Sequence, residues 1–394
     1  MGYSYVIFGA GRQGIALACD LIRNGQADRI TLTDCDPDVL RKGLERLHTL
    51  CPGTTCRFVS RLCDAGRPVE VAAAMSGADV AVSAVPYRFN VALTDAAIAA
   101  GVSLCDLGGN TAVVRAQLER DGRARRAGVS ILPDCGLAPG LGNILAAHGI
   151  GQLQPPIDAH IRCGGLPERP VGPLGYKLLF NFQGLINEYS GQAEFLRDGE
   201  IVHVPTLTEI EQIELPEPVG RCEAAVTSGG TSTCPATFRG RVRTYDYKTV
   251  RYPGHFAIVR ALFDLGCFEP RVELPGGRVI EPKALMRELF EQRLAFPDVR
   301  DVTVLRVTVR GTRAGRPAML RFDLLDRYDE QTGLTAMERT TAFPTALVAC
   351  MQARGLIEPG ARPLECALPL EQYVAELASH DIRIETTREE SRAD

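Results

Sequence analysis

The feature that most constrains this chain is a glycine-rich turn between a predicted strand and a predicted helix. The apolar run Tyr5 to Phe8 leads directly into GAGRQG at residues 9–14, and residues 15–24 have the pattern of a helix that Gly25 ends. In this setting the first glycine allows a tight turn, the second lets the backbone approach a pyrophosphate, and the third lets helix and strand pack closely. The turn therefore predicts a dinucleotide site facing a helix N-terminus. A glycine turn without a ligand is the alternative.

The same alternation of strand and helix continues through the first 135 residues. Strands are predicted at residues 5–8, 29–33, 56–59, 79–84, 103–106 and 129–132, with helices at 15–24, 37–50, 69–75, 91–100 and 111–127 between them. This pattern is typical of βαβ units that build a parallel sheet. Six strands fit a Rossmann-type, doubly wound α/β fold.

A second domain is predicted from Gly136 onward, where glycine and proline become dense. Strands are expected at 159–163, 302–310 and 318–326, and helices at 257–264, 282–293, 341–354 and 370–379, followed by a frayed polar tail after Glu385. Alternating polar and apolar residues in the late strands favour a mixed or antiparallel sheet, so this domain is expected to be α/β or α+β. We predict a dinucleotide domain over 1–135, completed by helices within about 340–394, and a substrate and oligomerisation domain over 136–339.

Composition excludes several classes of protein. The chain of 394 residues has a net charge of −4 and lacks a strongly basic stretch with interleaved aromatic residues, so a small-molecule partner is expected rather than nucleic acid. Neither a signal peptide nor an apolar run long enough for a membrane helix is present, which predicts a cytoplasmic protein. The 13 cysteines include no Cys-x-x-Cys pair. Zinc-finger spacing is absent from the densest group of possible ligands, so buried thiols are favoured over a metal at His48, Cys51, Cys56 and Cys63.

The nucleotide preference depends on Asp34, which ends the second predicted strand about twenty residues after the glycine turn. A carboxylate there would bind the adenosine ribose 2′-hydroxyl and repel a 2′-phosphate, which favours NAD over NADP. The carboxyl end of the fourth strand, Ser83 to Tyr87, lies where the nicotinamide half usually runs; a strand end terminated by proline is the alternative. The predicted cofactor residues are Gly9, Gly11, Arg12, Gln13, Gly14, Asp34, Ala84, Val85, Pro86, Gly108 and Asp134.

Several motifs, taken in order, resemble the saccharopine dehydrogenase-like family. They span roughly residues 3 to 385 and include Asp106–Gly109, Asp134–Gly140, Gly164–Pro167, Pro173–Lys177, Thr227–Ser232 and Lys248–His255. Within the family the pattern is most similar to the lysine 6-dehydrogenase branch, from which Asn110 and Cys135 depart.

This resemblance implies NAD-dependent oxidation of the ε-amino group of L-lysine to allysine, with release of ammonia and cyclisation to a piperideine carboxylate. Saccharopine and carboxynorspermidine enzymes of the same family act instead on secondary amines. A non-catalytic NAD-sensing protein is a third alternative, because fold alone does not establish activity. A homo-oligomer is also expected.

Amine oxidation requires a group that accepts a proton, because only a neutral amine can give up hydride from the adjacent carbon. Of the 44 basic residues only four are lysines, so a lysine retained within a motif suggests proton transfer, which arginine does not perform. Lys177 is therefore the preferred proton shuttle, with a structural ion pair as the alternative. The further catalytic candidates are His255, Asp106 and Tyr176. For Asp134, holding its loop is the alternative role.

Substrate binding requires a donor for the α-carboxylate. Arg251 is the first choice, because a guanidinium presents two parallel donors to a carboxylate, and Arg243 is the second. Solvated arginines are the alternative for both. Thr231 and Phe180 are expected to line an apolar slot for the aliphatic part of the substrate, although core packing alone would also explain Phe180. The stretch Arg239, Arg241 and Arg243 leaves open a second dicarboxylate arm, as saccharopine would need.

Overall fold

Two large β-sheets organise residues 2–390, the part of the chain that the computed structural model describes. The first sheet is parallel and is built with its helices from β1 (Tyr3–Phe8), α1 (Arg12–Asn24), β2 (Ala27–Asp34), α2 (Pro37–Leu50), β3 (Arg57–Leu62), α3 (Pro68–Met75), β4 (Val80–Ser83), α4 (Asn90–Ala100), β5 (Ser103–Asp106), α5 (Thr111–Leu118), α6 (Asp121–Ala127) and β6 (Ser130–Leu132). A short 3-10 helix, Tyr87–Phe89, precedes α4.

Local sequence explains where several of these helices begin and end. Asp36 caps α2 by accepting hydrogen bonds from the backbone N–H groups of Asp38 and Val39, and Pro37 occupies the first turn. Residues 111–127, predicted as one helix, form two. The second begins at Asp121, whose charge suits a helix N-terminus, and Gly122 weakens helical continuity there.

The second sheet is mixed and contains nine strands. The elements that build it and cover it are α7 (Leu141–Ile150), β7 (Gln154–Pro167), α8 (Phe182–Glu188), β8 (Gln192–Arg197), β9 (Glu200–Pro205), β10 (Glu211–Glu214), β11 (Arg221–Val226), α9 (Cys234–Phe238), β12 (Thr244–Arg251), α10 (His255–Asp264), a small hairpin of β13 (Val272–Glu273) and β14 (Val279–Ile280), α11 (Pro282–Arg293), β15 (Asp301–Arg313) and β16 (Arg316–Arg327). The remaining elements are α12 (Ala336–Ala353), β17 (Gly360–Ala361), α13 (Leu364–Ala367), α14 (Leu370–Glu376), a 3-10 helix at Leu377–His380 and β18 (Glu385–Glu390).

Strand order confirms the predicted fold class. The parallel sheet runs β17-β6-β5-β4-β1-β2-β3, a doubly wound order with one strand more than the six expected. The second sheet runs β10-β11-β12-β7-β15-β16-β18, and β8 with β9 branches from β12. Within it β7 and β12 are parallel, whereas β15, β16 and β18 are antiparallel to their neighbours. Neither this architecture nor its contacts test the exact domain boundaries, which stay a prediction.

The C-terminal segment returns to the parallel sheet before it ends on the mixed one. Helix α12 packs on α1, and its Gln352 side chain donates hydrogen bonds to the backbone oxygens of Leu104 and Ser130. Strand β18 then pairs with β16, so the prediction of a frayed tail after Glu385 is wrong for residues 385–390. The backbone ladder orders this segment, and its exposed polar side chains suit an edge strand. Residues 391–394 lie outside the described part.

Within residues 2–390 no helix is both long and apolar enough to cross a membrane.

Candidate functional site

A cleft of about 510 Å³ lies between the carboxyl edge of the parallel sheet and the mixed sheet. Its nucleotide wall is formed by residues that follow β1, β4 and β5, namely Gln13, Ala84, Val85, Pro86, Tyr87, Arg88, Leu107, Gly108 and Gly109. Its sheet wall is formed from β7, β12 and the segment around α8, namely Cys163, Gly164, Gly165, Phe180, Asn187, Glu188, Tyr247, Thr249 and Arg251. Such a crevice beyond the carboxyl ends of parallel strands is the usual ligand site of doubly wound folds.

The glycine turn has the geometry that a dinucleotide needs. Gly9 has a φ of 103°, and a Cβ there would lie 2.7 Å from the backbone oxygen of Ala84. A Cβ on Gly14 would collide with the backbone oxygen of Gly9, whereas one on Gly11 would meet no atom within 4 Å. The space over Gly11, at the start of α1, therefore leaves backbone N–H groups open to an anion. These residues fit a bound pyrophosphate.

Asp34 is held in place at the end of β2 by backbone donors. Its two carboxylate oxygens accept hydrogen bonds from the N–H groups of Ala10 (2.9 Å) and Asp36 (3.0 Å). The carboxylate thus lies beside the glycine turn, where an adenosine ribose would be bound. The pKa of the exposed Cys35 thiol next to it is raised, first by desolvation and then by the carboxylates of Asp34 and Asp64.

The two side chains within the glycine turn take different directions. Arg12 turns away from the cleft, and its guanidinium donates to the Glu338 carboxylate (3.1 Å) and the Thr335 hydroxyl (3.1 Å). Gln13 lines the cleft and donates to the backbone oxygen of Met337 (3.2 Å). Its amide oxygen is buried and has no hydrogen-bond partner within the described residues. Gln13 therefore keeps a free acceptor for a ligand, whereas Arg12 fastens the turn to α12.

Asp106 is a structural carboxylate, and its predicted catalytic role is not supported by its position. It is fully buried, is absent from the cleft lining, and accepts hydrogen bonds from the N–H groups of Gly108 (2.8 Å) and Asp134 (3.1 Å) and from the Gln117 amide (2.8 Å). These donors hold the loop after β5 in place. Burial raises the pKa of Asp106 although the donors lower it.

Asp134 lies behind the nucleotide wall rather than in it. The Ser232 hydroxyl donates to one carboxylate oxygen, and the other oxygen is buried against Gly108. Burial, and then the nearby Asp106 carboxylate, raise the pKa of Asp134 to about 7. Asp134 therefore connects the end of β6 to the loop before α9, which agrees with the loop-holding alternative.

Glu188, at the end of α8, is a titratable group of the cleft that the sequence analysis missed. Its side chain is 29% exposed, and its Oε2 atom lies 3.6 Å from the Arg251 guanidinium. That oxygen is buried and accepts no hydrogen bond from any described residue. Burial raises the pKa of Glu188 to about 7, although Arg251 lowers it. A carboxylate in this state can exchange a proton near neutral pH.

Arg251 projects from the last position of β12 into the cleft, with its side chain 3% exposed. Its Nε donates to the Tyr189 hydroxyl (3.0 Å), and one terminal nitrogen donates to the backbone oxygen of Val250 (2.9 Å). A guanidinium carries five N–H donors, so donors toward Glu188 and the cleft remain free. The position agrees with the predicted role in binding a carboxylate, which stays a prediction.

His255 stands behind Arg251 and does not line the cleft. Its Nδ1 lies 2.9 Å from the Leu174 backbone oxygen, so Nδ1 carries the proton and Nε2 accepts the hydrogen bond of the Tyr189 hydroxyl (2.9 Å). Burial, and then the charge of Arg251, lower the pKa of His255 to about 3. The imidazole contacts the Tyr189 hydroxyl, which in turn contacts Arg251, and this position does not support the predicted role of acid or base in the cleft.

The Tyr176 ring packs against the guanidinium of Arg251. Its ring centre lies 4.8 Å from the Arg251 guanidinium carbon, and its hydroxyl is buried without a hydrogen-bond partner in residues 2–390. Burial raises the pKa of this hydroxyl to about 12. Tyr176 is absent from the cleft lining, so the structure does not support the predicted catalytic role.

Lys177 lines a different cavity, of about 430 Å³, on the far side of Arg12. Its ammonium donates to the backbone oxygen of Val299 (2.7 Å), and partial burial is the main cause of its lowered pKa. The predicted proton shuttle is therefore not in the cleft. The reason is the direction of the chain at 173–177: Tyr176 points inward to Arg251, so the next side chain points away from it.

Of the remaining substrate candidates, one lines the cleft and the others lie outside it. Phe180 is half-buried and lines the cleft. Thr231 is buried outside it and donates to the backbone oxygen of Glu194 (2.8 Å). Arg243 is an exposed side chain in an ion pair with Asp158, and Arg239 is similarly paired with Glu200. Arg243 precedes β12 and is outside its regular alternation, whereas Tyr247, Thr249 and Arg251 share the face of the strand that lines the cleft.

No group of three or more His, Cys, Asp or Glu side chains within residues 2–390 is arranged to hold a metal ion.

Comparisons with known proteins identify the family of both halves. The Saccharopine dehydrogenase NADP binding domain matches residues 5–132, and the Saccharopine dehydrogenase C-terminal domain matches residues 136–382. A curated relative from Pyricularia oryzae, saccharopine dehydrogenase [NADP(+), L-glutamate-forming], is 27% identical over 197 residues, which cover 48% of this chain and 43% of the relative. Alpha-aminoadipic semialdehyde synthase of Arabidopsis thaliana is 28% identical over 197 residues, covering 43% of this chain and 17% of that protein. The chain thus matches less than half the length of these relatives.

A solved structure has the same fold over the whole chain. Apo histidine-tagged saccharopine dehydrogenase (L-Glu forming) from Saccharomyces cerevisiae superposes with a TM-score of 0.74 at 18% sequence identity, covering 98% of this chain and 100% of that one.

Proposed function

This chain belongs to the saccharopine dehydrogenase family, and we propose that it is an NAD-dependent dehydrogenase that oxidises the ε-amino group of L-lysine. The products would be allysine, which cyclises to a piperideine carboxylate, and ammonia. The observation that carries this proposal is the pairing of Glu188 and Arg251 on the sheet wall, opposite the residues that fit a dinucleotide. The Glu188 carboxylate suits an ammonium, and the Arg251 guanidinium suits a carboxylate.

The charge in the cleft supports a substrate with a single carboxylate. On the sheet wall Arg251 is the one cation and Glu188 the one carboxylate among the described lining residues, whereas Arg88 belongs to the nucleotide wall. L-Lysine carries one carboxylate and two ammonium groups, so one substrate cation can face Glu188. Saccharopine carries three carboxylates and would need more donors. Arg239 and Arg243, which could have supplied them, are exposed in ion pairs outside the cleft.

The proposed mechanism assigns proton transfer to Glu188. With a pKa of about 7, its carboxylate accepts a proton from the ε-ammonium at mildly alkaline pH and leaves a neutral amine. NAD bound on the nucleotide wall would supply the hydride acceptor. Water then adds to the iminium carbon and the C–N bond breaks; the carboxylic acid of Glu188 and the attacking water each give one proton to the departing nitrogen, and the second water proton goes to solvent. Arg251, held by Tyr189 and His255, fixes the substrate α-carboxylate so that the ε-carbon faces the nucleotide wall.

The proposal of NAD rests on Asp34 and its surroundings. The family description and the fungal relative name NADP, whereas this chain places a backbone-bound carboxylate at the end of β2. The carboxylates of Asp34 and Asp64 both raise the pKa of the nearby Cys35 thiol, after desolvation, and so make this position negative. Such a field repels a 2′-phosphate and accepts a ribose hydroxyl. The cytoplasmic location and the homo-oligomer stay predictions from the sequence.

The test is reduction of NAD by the purified protein at alkaline pH with L-lysine, saccharopine, ornithine and diamines, with ammonia measured in parallel. NADH and ammonia in equal amounts from L-lysine support the proposal. Reduction with saccharopine and no release of ammonia would assign the chain to the secondary-amine branch. Nucleotide binding without turnover of any substrate would favour the sensing protein.

A further inference from the structure

Two cysteine side chains meet behind the nucleotide-binding turn, on the side away from the cleft. Cys19 lies on α1 and Cys51 directly follows α2, and their sulfur atoms are 3.6 Å apart. The thirty-one residues between them in sequence include β2 with Asp34 and all of α2. Two sulfurs this close can form a disulfide after a small approach of the two side chains, because an S–S bond is about 2.05 Å long.

The two thiols differ in a way that suits stepwise oxidation. A hydrogen bond from the Cys19 thiol, and then the nearby Arg23 guanidinium, lower the pKa of Cys51 to about 7. Arg23 is exposed and is fixed beside Cys51 by its hydrogen bond to the Leu50 backbone oxygen (2.9 Å). Cys19 is fully buried, and the hydrogen bond to Cys51 and burial raise its pKa. Cys51 is buried but retains 7% exposure whereas Cys19 has none, so Cys51 is the thiol that peroxide reaches first and Cys19 is the second sulfur.

We propose that Cys19 and Cys51 form an intramolecular disulfide when the protein meets hydrogen peroxide. The Cys51 thiolate attacks one peroxide oxygen, the O–O bond breaks, and a sulfenic acid forms as the other oxygen leaves as water after taking a proton. The Cys19 sulfur then attacks the Cys51 sulfur, the S–O bond breaks, and a second water leaves with the Cys19 proton. Two thiols lose two electrons in total, and one peroxide gains them.

A second thiol pair, formed by one residue of β5 and one that follows β6, provides an internal control. Cys105 and Cys135 are close enough for their thiols to interact, but both are fully buried. Burial raises the pKa of Cys135 well above its usual value, which disfavours the thiolate of Cys135. Cys56 could also form a disulfide with Cys51, because the two interact. Burial, however, raises the pKa of Cys56 to about 11. The proposal therefore selects Cys19 and Cys51 from 13 cysteines.

Peptide mapping distinguishes these pairs in the whole protein. After oxidation by hydrogen peroxide and blocking of free thiols, trypsin releases Cys19 in residues 13–23 and both Cys51 and Cys56 in residues 47–57. A disulfide between Cys19 and Cys51 joins these two peptides, removes two hydrogens and disappears with dithiothreitol. A Cys51 to Cys56 bond would remain inside one peptide, and that result, or no link between the two peptides, would overturn the proposal.

Variants identify the sulfur that reacts first. In C19S, peroxide is expected to leave a sulfenic acid on Cys51 that dimedone traps, whereas C51S should abolish both the trapped product and the link. The matched control C56S should form the link at the rate of the unchanged protein. Faster linking in urea than in the folded protein would show that the native contact is not responsible and would contradict the proposal.

Discussion

The two walls of the cleft use charged side chains in opposite ways. On the nucleotide side, the carboxylates of Asp34 and Asp106 accept hydrogen bonds from backbone N–H groups and hold loops in place. On the sheet wall, Glu188 has an oxygen without a hydrogen-bond partner among the described residues, and Arg251 retains free donors. Buried polar groups are almost always satisfied, so an unsatisfied oxygen that also lines the cleft, as in Glu188, is available to a ligand. The difference separates the groups that build the site from those that we propose act on the substrate.

The largest expected effect comes from removing the open carboxylate. Glu188→Gln keeps the shape of the side chain but cannot accept a proton, so kcat/KM for L-lysine should fall about 100-fold or more. Steady-state kinetics measures this change, and NADH binding by fluorescence should be unaltered. Glu194→Gln, which alters an ion pair with Arg115 outside the cleft, is the matched control. Equal losses in the two variants would contradict a special role for the sheet wall.

Arg251 and Arg243 form a matched pair of arginines, one in the cleft and one exposed on the surface. Arg251→Ala should raise KM for L-lysine about 30-fold, since a hydrogen bond to a charged group contributes roughly 1.5–3 kcal/mol. A diamine without the carboxylate should be affected far less, and Arg243→Ala should change neither value. Because Arg251 lowers the pKa of Glu188, its loss should also move the acid limb of the pH profile to higher pH. Similar KM changes for both substrates would remove Arg251 from the carboxylate-binding role.

A substitution of Asp34 tests the nucleotide preference. Asp34→Arg replaces a group that repels a 2′-phosphate with one that binds it, so the ratio of NADP to NAD efficiency should rise about tenfold or more. The KM for L-lysine should stay the same, because Asp34 is remote from the sheet wall. An unchanged nucleotide ratio would refute the proposed role of Asp34.

His255 should matter for position and not for proton transfer. His255→Gln breaks the contact with Tyr189 and loosens Arg251, so KM should rise about fivefold, the size expected for one lost hydrogen bond. The imidazole has a pKa of about 3, so it is already neutral over the working range and the pH profile should keep its shape. Loss of a limb near neutral pH in this variant would show that His255 transfers protons after all.

The smallest effect on kcat/KM is expected at Lys177, the predicted proton shuttle, which lies outside the cleft. Lys177→Met removes an ammonium that contacts the Val299 backbone oxygen in the second cavity, and kcat/KM should change by less than about twofold. A loss comparable to that of Glu188→Gln would show that the second cavity takes part in turnover.

More of the residues predicted for the nucleotide side than of those predicted for the substrate line the cleft. The glycine turn and Asp34 lie close together in sequence, so their spacing alone predicts a shared edge. Glu188 belongs to no motif: α8 is short, and the packing around it decides which side chain faces the cleft. Lys177 illustrates the reverse error, because its motif was identified but the direction of its side chain depends on Tyr176 packing under Arg251.

Strand β18 was missed for a related reason. Its residues are polar and charged, and a polar segment at a chain end has no periodicity that separates an edge strand from a frayed tail. Its order comes from backbone pairing with β16, a partner about seventy residues earlier.

The pH dependence of kcat/KM for L-lysine, compared between the unchanged protein and Glu188→Gln, tests the central claim most directly. The carboxylate must be ionised to accept a proton, and burial raises its pKa to about 7, so activity should fall tenfold per pH unit below that value. The Glu188→Gln variant should lack this limb while still binding the nucleotide. A limb near pH 7 that persists in the variant would contradict the assignment of proton transfer to the sheet wall.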